Sequence, residues 1–240
     1  VDKFHKNDTE LLRLFSNYDE NGKISTEKSL PPLLAKALEE EMPEVKHGAS
    51  STRPFSAYGL TSNDIYLNAK GRLVTDNFFQ LFSFEMKEGN AEKIFPNKNG
   101  IIISESLARK FYPTAENVLG KIVTYESHSG IVEAIVTGVF KDIPQNSTFQ
   151  FDYLLSFDLY LEKLGKDYIW NNYVAETYVL LNQNVDQNNF NNKISNFLAT
   201  KQEGAEDVLW SQPFTENYLH GDFKNGKITV TSASSDIKQV

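Results

Sequence analysis

Short β-branched runs and alternating positions dominate the hydrophobic pattern of this chain, and helical spacing is confined to a few stretches. Residues 9–18 carry Leu11, Leu12, Leu14 and Phe15, a spacing that suits either a helix face or a buried strand. The Asn21-Gly22 pair that follows is a strong two-residue hairpin signal and favours the strand. From Ser29-Leu-Pro-Pro onward, Leu33, Leu34, Ala37, Leu38 and Met42 recur at helical intervals. This predicts a helix capped by Ser29, entered through proline and ended by Pro43. Glu39, Glu40 and Glu41 fall at its unfavourable C-terminal end and read as a solvated face. Residues 44–58 predict a strand interrupted at Pro54, and residues 65–75 a hairpin turning around 68–71. Phe78, Phe79, Leu81 and Phe82 then form the apolar side of a short helix.

The most ordered pattern runs over residues 101–157. Ile101 to Ile103 read as a buried strand, Ser104 as an N-cap, and residues 105–112 as a helix stopped by Pro113. Gly120-Lys121 opens a hairpin of two β-rich runs, 121–125 and 131–140. Residues 142–147, containing Asp142, Pro144 and Ser147, turn the chain into an alternating strand over 149–157.

In the second half, residues 175–181 predict a strand, Asp186 caps a helix reaching about Thr200, and residues 206–211 predict another strand. Seven asparagines lie between Asn182 and Asn196, a poor composition for a helix, so packing of Val185, Phe190, Ile194, Phe197 and Leu198 must hold it. Its Asn-rich face reads as solvent-exposed, with a partner contact as the alternative. This strand-helix-strand unit parallels the one around Leu33, and two such units side by side make an α+β lobe.

Composition narrows the function classes. With 240 residues, 40% of them hydrophobic and 12% aromatic, the chain can bury roughly 70 to 75% of its unfolded surface. A net charge of −8 argues against nucleic acid as a partner and against broad attraction to anionic lipid. The absence of cysteine excludes disulfides and thiolate metal sites. No run approaches the ~18 apolar residues of a membrane-spanning helix, and no signal peptide opens the chain at Val1.

Candidate chemistry fails at its critical positions. The segment 17–28 resembles a calcium loop at Asp19, Asn21, Gly22 and Ile24, but Asn17 stands where the first Asp belongs and Lys28 where a bidentate Glu should close the site. A β-turn accounts for the same residues. His5, His47, His128 and His220 are scattered without metal-ligand spacing. Gly120-Lys121 lacks the upstream glycine of a phosphate loop, and Ile122 replaces its Ser or Thr. There is no G-x-S-x-G elbow, no cysteine nucleophile, and no carboxylate pair marked as acid and base. Asn7 and Asn146 head N-glycosylation sequons in form only. Phe149, Phe151 and Tyr153 read as core positions, with an aromatic ligand platform as the alternative. No catalytic, cofactor-binding or metal residue is assigned.

The ordered block closely resembles the extracytoplasmic core domain of MacB-like and FtsX-like ABC transporter permeases of the Bacteroidetes type. Ser104, Ala108, Phe111, Gly120-Lys121, Val136-Thr-Gly-Val139, Asp142, Pro144 and Ser147 follow that family's pattern in order. So do Asp76, Phe78-Phe79, Phe82, Phe84 and Glu88-Gly89 upstream, and Trp210-Ser-Gln212 and Tyr218-Leu-His220 near the end. Val1 stands where an aromatic is usual, and Thr148 where a His is common, so no role of that His carries over. The resemblance implies two lobes: a porter-like lobe from residues 1–90 and 149–240, and an inserted strand-rich sabre-like lobe at 91–148. It implies membrane helices before Val1 and after Val240, with both termini at a membrane-proximal base on the periplasmic face of the bacterial inner membrane. It further implies a non-catalytic domain without cofactors that transmits ATP-driven motion to a periplasmic adaptor or substrate. Its partner would be a cytoplasmic ATPase subunit, in a permease acting as a dimer. The joins at 89–96 and 142–148 are the expected hinges. A ligand-sensing receptor ectodomain and a secreted enzyme are the alternative readings.

Overall fold

Two turns built on residues that accept left-handed backbone set the register of two hairpins. Asn21 and Gly22 have φ of 57° and 83°, and Asn63 and Asp64 have 50° and 59°, as two-residue hairpins require. The computed structural model describes residues 9–114, 117–127, 130–145, 147–162, 164, 170–216, 222–224 and 226–229. His5, His128, His220, the sequon residues Asn7 and Asn146, and the family-like residues 1–7 and 218–220 lie outside them. In chain order the elements are β1 (Leu11–Glu20), β2 (Lys23–Glu27), α1 (Leu34–Glu41), β3 (Val45–Thr52), β4 (Phe55–Ser62), β5 (Ile65–Val74), α2 (Phe78–Leu81), β6 (Met86–Glu88), β7 (Gly100–Ser104) and α3 (Glu105–Phe111). There follow β8 (Ile122–Ser127), β9 (Gly130–Phe140), β10 (Tyr153–Ser156), α4 (Asp158–Leu161), β11 (Ala175–Leu181), α5 (Gln187–Ile194), β12 (Val208–Pro213), β13 (Asp222–Lys224) and β14 (Lys227–Thr229). Among the described residues no helix is long and apolar enough to cross a membrane.

The chain divides into two compact units, Val1–Ser50 with Lys166–Val240, and Ser51–Gly165. In the first, the strand order β3-β11-β1-β12 interleaves two strand-helix-strand units, with β2 folded back on β1. Such a split arrangement leaves one face for both helices. Leu12 and Leu14 of β1, Leu34 and Leu38 of α1, Val179 of β11, and Phe190 and Ile194 of α5 meet there in a single core. Asp186 caps α5 by accepting from the Asn189 amide at 2.8 Å. Asn191 is turned inward: its Oδ1 accepts from the Ser211 amide and hydroxyl at 2.8 and 2.7 Å, fastening α5 to β12. The exposed Asn face is therefore narrower than the sequence suggests.

The second unit is a closed ring. β10 runs parallel to β5 and antiparallel to β7; β7 is parallel to β9, and β9-β8-β4-β5 continue antiparallel back to the start. Closure removes free strand edges, and the inward positions pack together. Ile101, Ile103, Val123, Ala134, Tyr153 and Leu155 fill the ring, and α3 adds Leu107, Ala108 and Phe111. A separate phenylalanine cluster forms beside it, with Phe78–Phe82 centroids 4.6 Å apart, Phe82–Phe149 4.8 Å and Phe140–Phe151 5.3 Å.

Several expectations change. The anticipated insert, 91–148, lies wholly within the second unit, which extends past it at both ends. β4, β5 and β10 flank that insert in sequence but are members of its ring, and Phe149 packs on Phe78 and Phe82. The chain passes between units at 50–51 and 165–166, and both expected hinges fall inside one unit. Residues 65–74 are one strand rather than a hairpin about 68–71, because the turn sits at Asn63-Asp64. Ser29 is not the cap of α1, which begins at Leu34 with Leu33 at its N-cap, while Leu30 exchanges backbone hydrogen bonds with Ala175. Of the three glutamates ending α1, Glu39 is half-buried and accepts from the Gly48 amide, while Glu40 and Glu41 are exposed and pair with Lys36 and Lys201. The ladder predicted over 149–157 is confined to Tyr153–Ser156.

Gly71 on β5 faces Tyr153 on β10, and a Cβ there would lie 2.3 Å from the ring's Cζ. Tyr153 is fully buried and has no room to retreat. Gly71→Ala is expected to destabilise the chain by about 1–3 kcal/mol in urea unfolding; an unchanged midpoint would show that the ring does not close on this contact.

Candidate functional site

The family-like residues of the 101–157 block form a clasp around the start of α3. Ser104 has extended backbone, and its hydroxyl accepts from the Leu107 amide at 3.2 Å. Asp142, just past β9, accepts from the Ser106 amide at 2.8 Å, the Ser106 hydroxyl at 2.5 Å and Arg109 at 3.3 Å. Arg109 also pairs with Glu105 at 2.8 Å, and Glu105 with Lys87 next to β6 residue Met86. Partial burial draws the Asp142 pKa upward, but the Ser106 hydrogen bonds and the Arg109 charge outweigh it and hold the carboxyl below its usual range. Lys87 on Glu105 acts in the same direction there. These residues fix a helix to two strands.

The other sequence candidates separate in the same way. The calcium-like segment is the β1–β2 hairpin, where Asp19 accepts from the Gly22 amide at 2.6 Å. His47 faces Glu39 at 3.3 Å. Among the described residues no three His, Asp or Glu side chains gather as a metal site. Gly120-Lys121 is a turn whose amides bond Val136 and Val118 carbonyls. Phe149 and Phe151 are core, with the Arg72 guanidinium 4.7 Å from the Phe149 centroid. An open cavity of about 530 Å³ in the first unit is lined by Thr9, Glu10, Lys46, Leu180, Leu181, Asn182 and Gln183, and the Thr9 hydroxyl donates to the Glu10 carboxylate at 2.5 Å.

The first unit carries an arrangement that sequence reasoning missed. Alternation along β1 puts Arg13, Phe15 and Asn17 on the face opposite Leu12 and Leu14. Arg13 and Glu176 form a buried pair at 3.0 Å, and the Tyr178 hydroxyl donates to the same carboxylate at 3.1 Å. Beside them Phe15 stacks on Trp210 at 4.9 Å, and Phe223 of β13 closes on both at 5.0 and 5.5 Å. Lys28 lies 5.4 Å from the Phe223 centroid. Asn17 accepts from Thr26 and Trp210 and donates to the Gly226 carbonyl at 3.4 Å. Gly226, at φ 67°, approaches Ile24 so closely that a Cβ would lie 2.5 Å from it. Asn17, Ile24 and Lys28, the residues that spoil or mimic a calcium loop, thus seat the β13–β14 hairpin. The only sequence signal was the misfit of Asn17 and Lys28 to the metal pattern.

Comparison with known proteins gives a consistent set of similarities. Residues 1–197 match the family model of the MacB-like periplasmic core domain. No curated protein matches the sequence. A permease-protein domain from Porphyromonas gingivalis shares the fold at TM-score 0.71 and 20% identity, covering 98% of this chain and 100% of its own. The periplasmic region of MacB from Actinobacillus actinomycetemcomitans does so at 0.59 and 14%, over 97% and 94%. The extracellular domain of the noncanonic ABC-type transporter YknZ from Gram-positive bacteria does so at 0.59 and 14%, over 84% and 99%.

Two outcomes follow from this geometry. Because the Asp142 pKa is lowered by folding, its stabilisation is present above about pH 4 and is lost as pH falls through the lowered value. Asp142→Asn should cost about 1 kcal/mol near neutral pH, a drop of roughly 2–4 °C in thermal midpoint, and the gap to wild type should close as pH falls through the lowered value. A gap that persists in acid would assign the loss to packing instead. Millimolar calcium should leave the thermal midpoint unchanged, since the ligand positions of the 17–28 segment are engaged in the hairpin and its seat.

Proposed function

The chain belongs to the MacB-like periplasmic core domain family, and from that membership we propose that it transmits ATP-driven motion of a permease's membrane helices to a periplasmic adaptor or substrate. The observation that supports this most directly is the register Leu12↔Pro213, which sets the beginning of β1 beside the end of β12. A domain spliced between two membrane helices needs its entry and exit side by side, so that displacement of either helix is delivered to one sheet. The aromatic seat serves the same end: Phe223 ties the segment leading toward Val240 to β1 and β12 through Phe15 and Trp210.

In this reading membrane helices precede Val1 and follow Val240, and the domain stands on the periplasmic face of the inner membrane. ATP is hydrolysed by a cytoplasmic ATPase subunit, and the full permease works as a dimer. The domain itself performs no chemistry. The first unit is the porter-like lobe and the closed ring the sabre-like lobe, joined at 50–51 and 165–166. Rigid units moving about short connections are a standard means of passing motion on.

The test uses the full-length permease with its ATPase subunit. Hydrogen exchange at the amides of β1 and β12 should differ between the nucleotide-free and ATP-bound states, and Phe223→Ala should abolish the difference while ATP hydrolysis persists. Loss of roughly 1.5 kcal/mol of aromatic contact corresponds to about a tenfold shift in docking of the hairpin. Identical exchange in both nucleotide states would sink the reading, as would a reading frame without apolar spans of about 20 residues on both sides.

A further inference from the structure

Among the described residues, the outward face of β8 and β9 in the second unit is left exposed. On β9 the outward positions are Ile131, Glu133 and Ile135, and on the neighbouring β8 they are Ile122, Thr124 and Glu126. The register extends these rows across the sheet: Glu133↔Thr124, Thr124↔Thr61 and Thr61↔Tyr66, with Ile135↔Ile122 on one side and Ile131↔Glu126 on the other. Ile131 is 76% exposed, Tyr66 55%, Ile122 54% and Ile135 42%. Four large apolar side chains thus share one face of adjacent strands, although inward positions of the same strands, such as Val123 and Ala134, are buried.

The acidic residues on this face narrow what covers it. Glu126 and Glu133 stand between the isoleucines, and among the described residues neither has an ion-pair partner. Two cations stand at the margins of this face: Lys70, two positions beyond Asn68 on β5, and Lys121, directly before Ile122. A second copy of this chain is a poor occupant, because a two-fold contact would set these carboxylates against their own counterparts. The apolar area is also a few hundred Å², short of the ~800 Å² that each partner of a stable interface contributes. Anionic lipid is repelled by the same charges.

We propose that this face docks a protein segment that alternates apolar side chains with Lys or Arg at intervals of roughly 6–7 Å, each cation meeting Glu126 or Glu133 and each apolar group an isoleucine or Tyr66. The inference deepens the proposed function by giving the chemistry of the periplasmic partner. It fails separately, because binding is read on this chain alone and the nucleotide response on the full permease.

The probe is a synthetic peptide in which Val and Lys alternate at every second residue, with Thr between, compared with the same peptide carrying Glu for Lys. Nuclear magnetic resonance titration of the 240-residue chain should show shifts confined to β8, β9 and the Tyr66 region with the Lys peptide, weakening as salt is raised. The double variant Glu126→Lys/Glu133→Lys should lose at least about tenfold in affinity for the Lys peptide and gain affinity for the Glu peptide. Ile131→Ser should weaken both without lowering the thermal midpoint. Equal binding of the two peptides, no binding of either, or indifference to charge reversal would overturn the proposal. So would self-association that Ile131→Ser abolishes, which would make the occupant a second copy.

Discussion

The second unit depends on a strand of four residues, Tyr153–Ser156, that joins β5 to β7 and turns an open sheet into a ring. Its register is clamped where it enters. The Asp152 amide donates to the Lys70 carbonyl, its carbonyl accepts from Ser104, and its carboxylate accepts from the Lys70 amide, all within 2.8 Å. One residue thus holds both neighbours before the ladder begins. A slip by one position would exchange Tyr153 and Leu155 for Leu154 and Ser156 inside the ring, displacing the ring-filling tyrosine from its place over Gly71. Full burial of side chains this size stabilises by about 2 kcal/mol each, so the wrong register loses several kcal/mol at once.

How far the fold was legible follows from the range of the interactions involved. The Ser104 cap of α3, the Asp186 cap of α5 and the Asn21-Gly22 turn rest on contacts between residues a few positions apart, and each stands where local chemistry puts it. The α+β class and its two strand-helix-strand units follow from the same local signals. The lobe boundary does not, since it depends on β10 finding β5 some eighty residues earlier, which no local pattern encodes. Ser29-Leu-Pro-Pro misled for a related reason: a bridge between Leu30 and Ala175 holds the segment extended, so the helix starts later. The hairpin seat was hidden because its parts are spread over Phe15, Asn17, Lys28, Trp210 and Phe223, and only the misfit of two of them to a metal loop was visible.

The clasp and the exposed surface of the second unit belong to one picture. Asp142, Ser106, Glu105, Arg109 and Lys87 hold α3 against β6 and the end of β9. What the ring offers outward is an ordered alternation of isoleucine and glutamate, the pattern on which the proposed docking rests.

The first unit shows what fixes its strand register. Arg13 and Glu176 are buried charges, and removing them from water costs several kcal/mol that their attraction offsets only in good geometry. Replacing such a pair by well-packed apolar residues is often neutral or stabilising, so stability alone does not account for it. Register does. Sliding β1 by one residue against β11 would bring Arg13 among Leu30, Leu34 and Leu38 without its carboxylate, an unpaired buried charge, and would turn Leu12 and Leu14 toward the polar face. The leucines reward the correct register and the charge forbids the neighbouring one. A sheet held in this way keeps its entry at Leu12 beside its exit at Pro213, the juxtaposition on which the proposed transmission of motion rests.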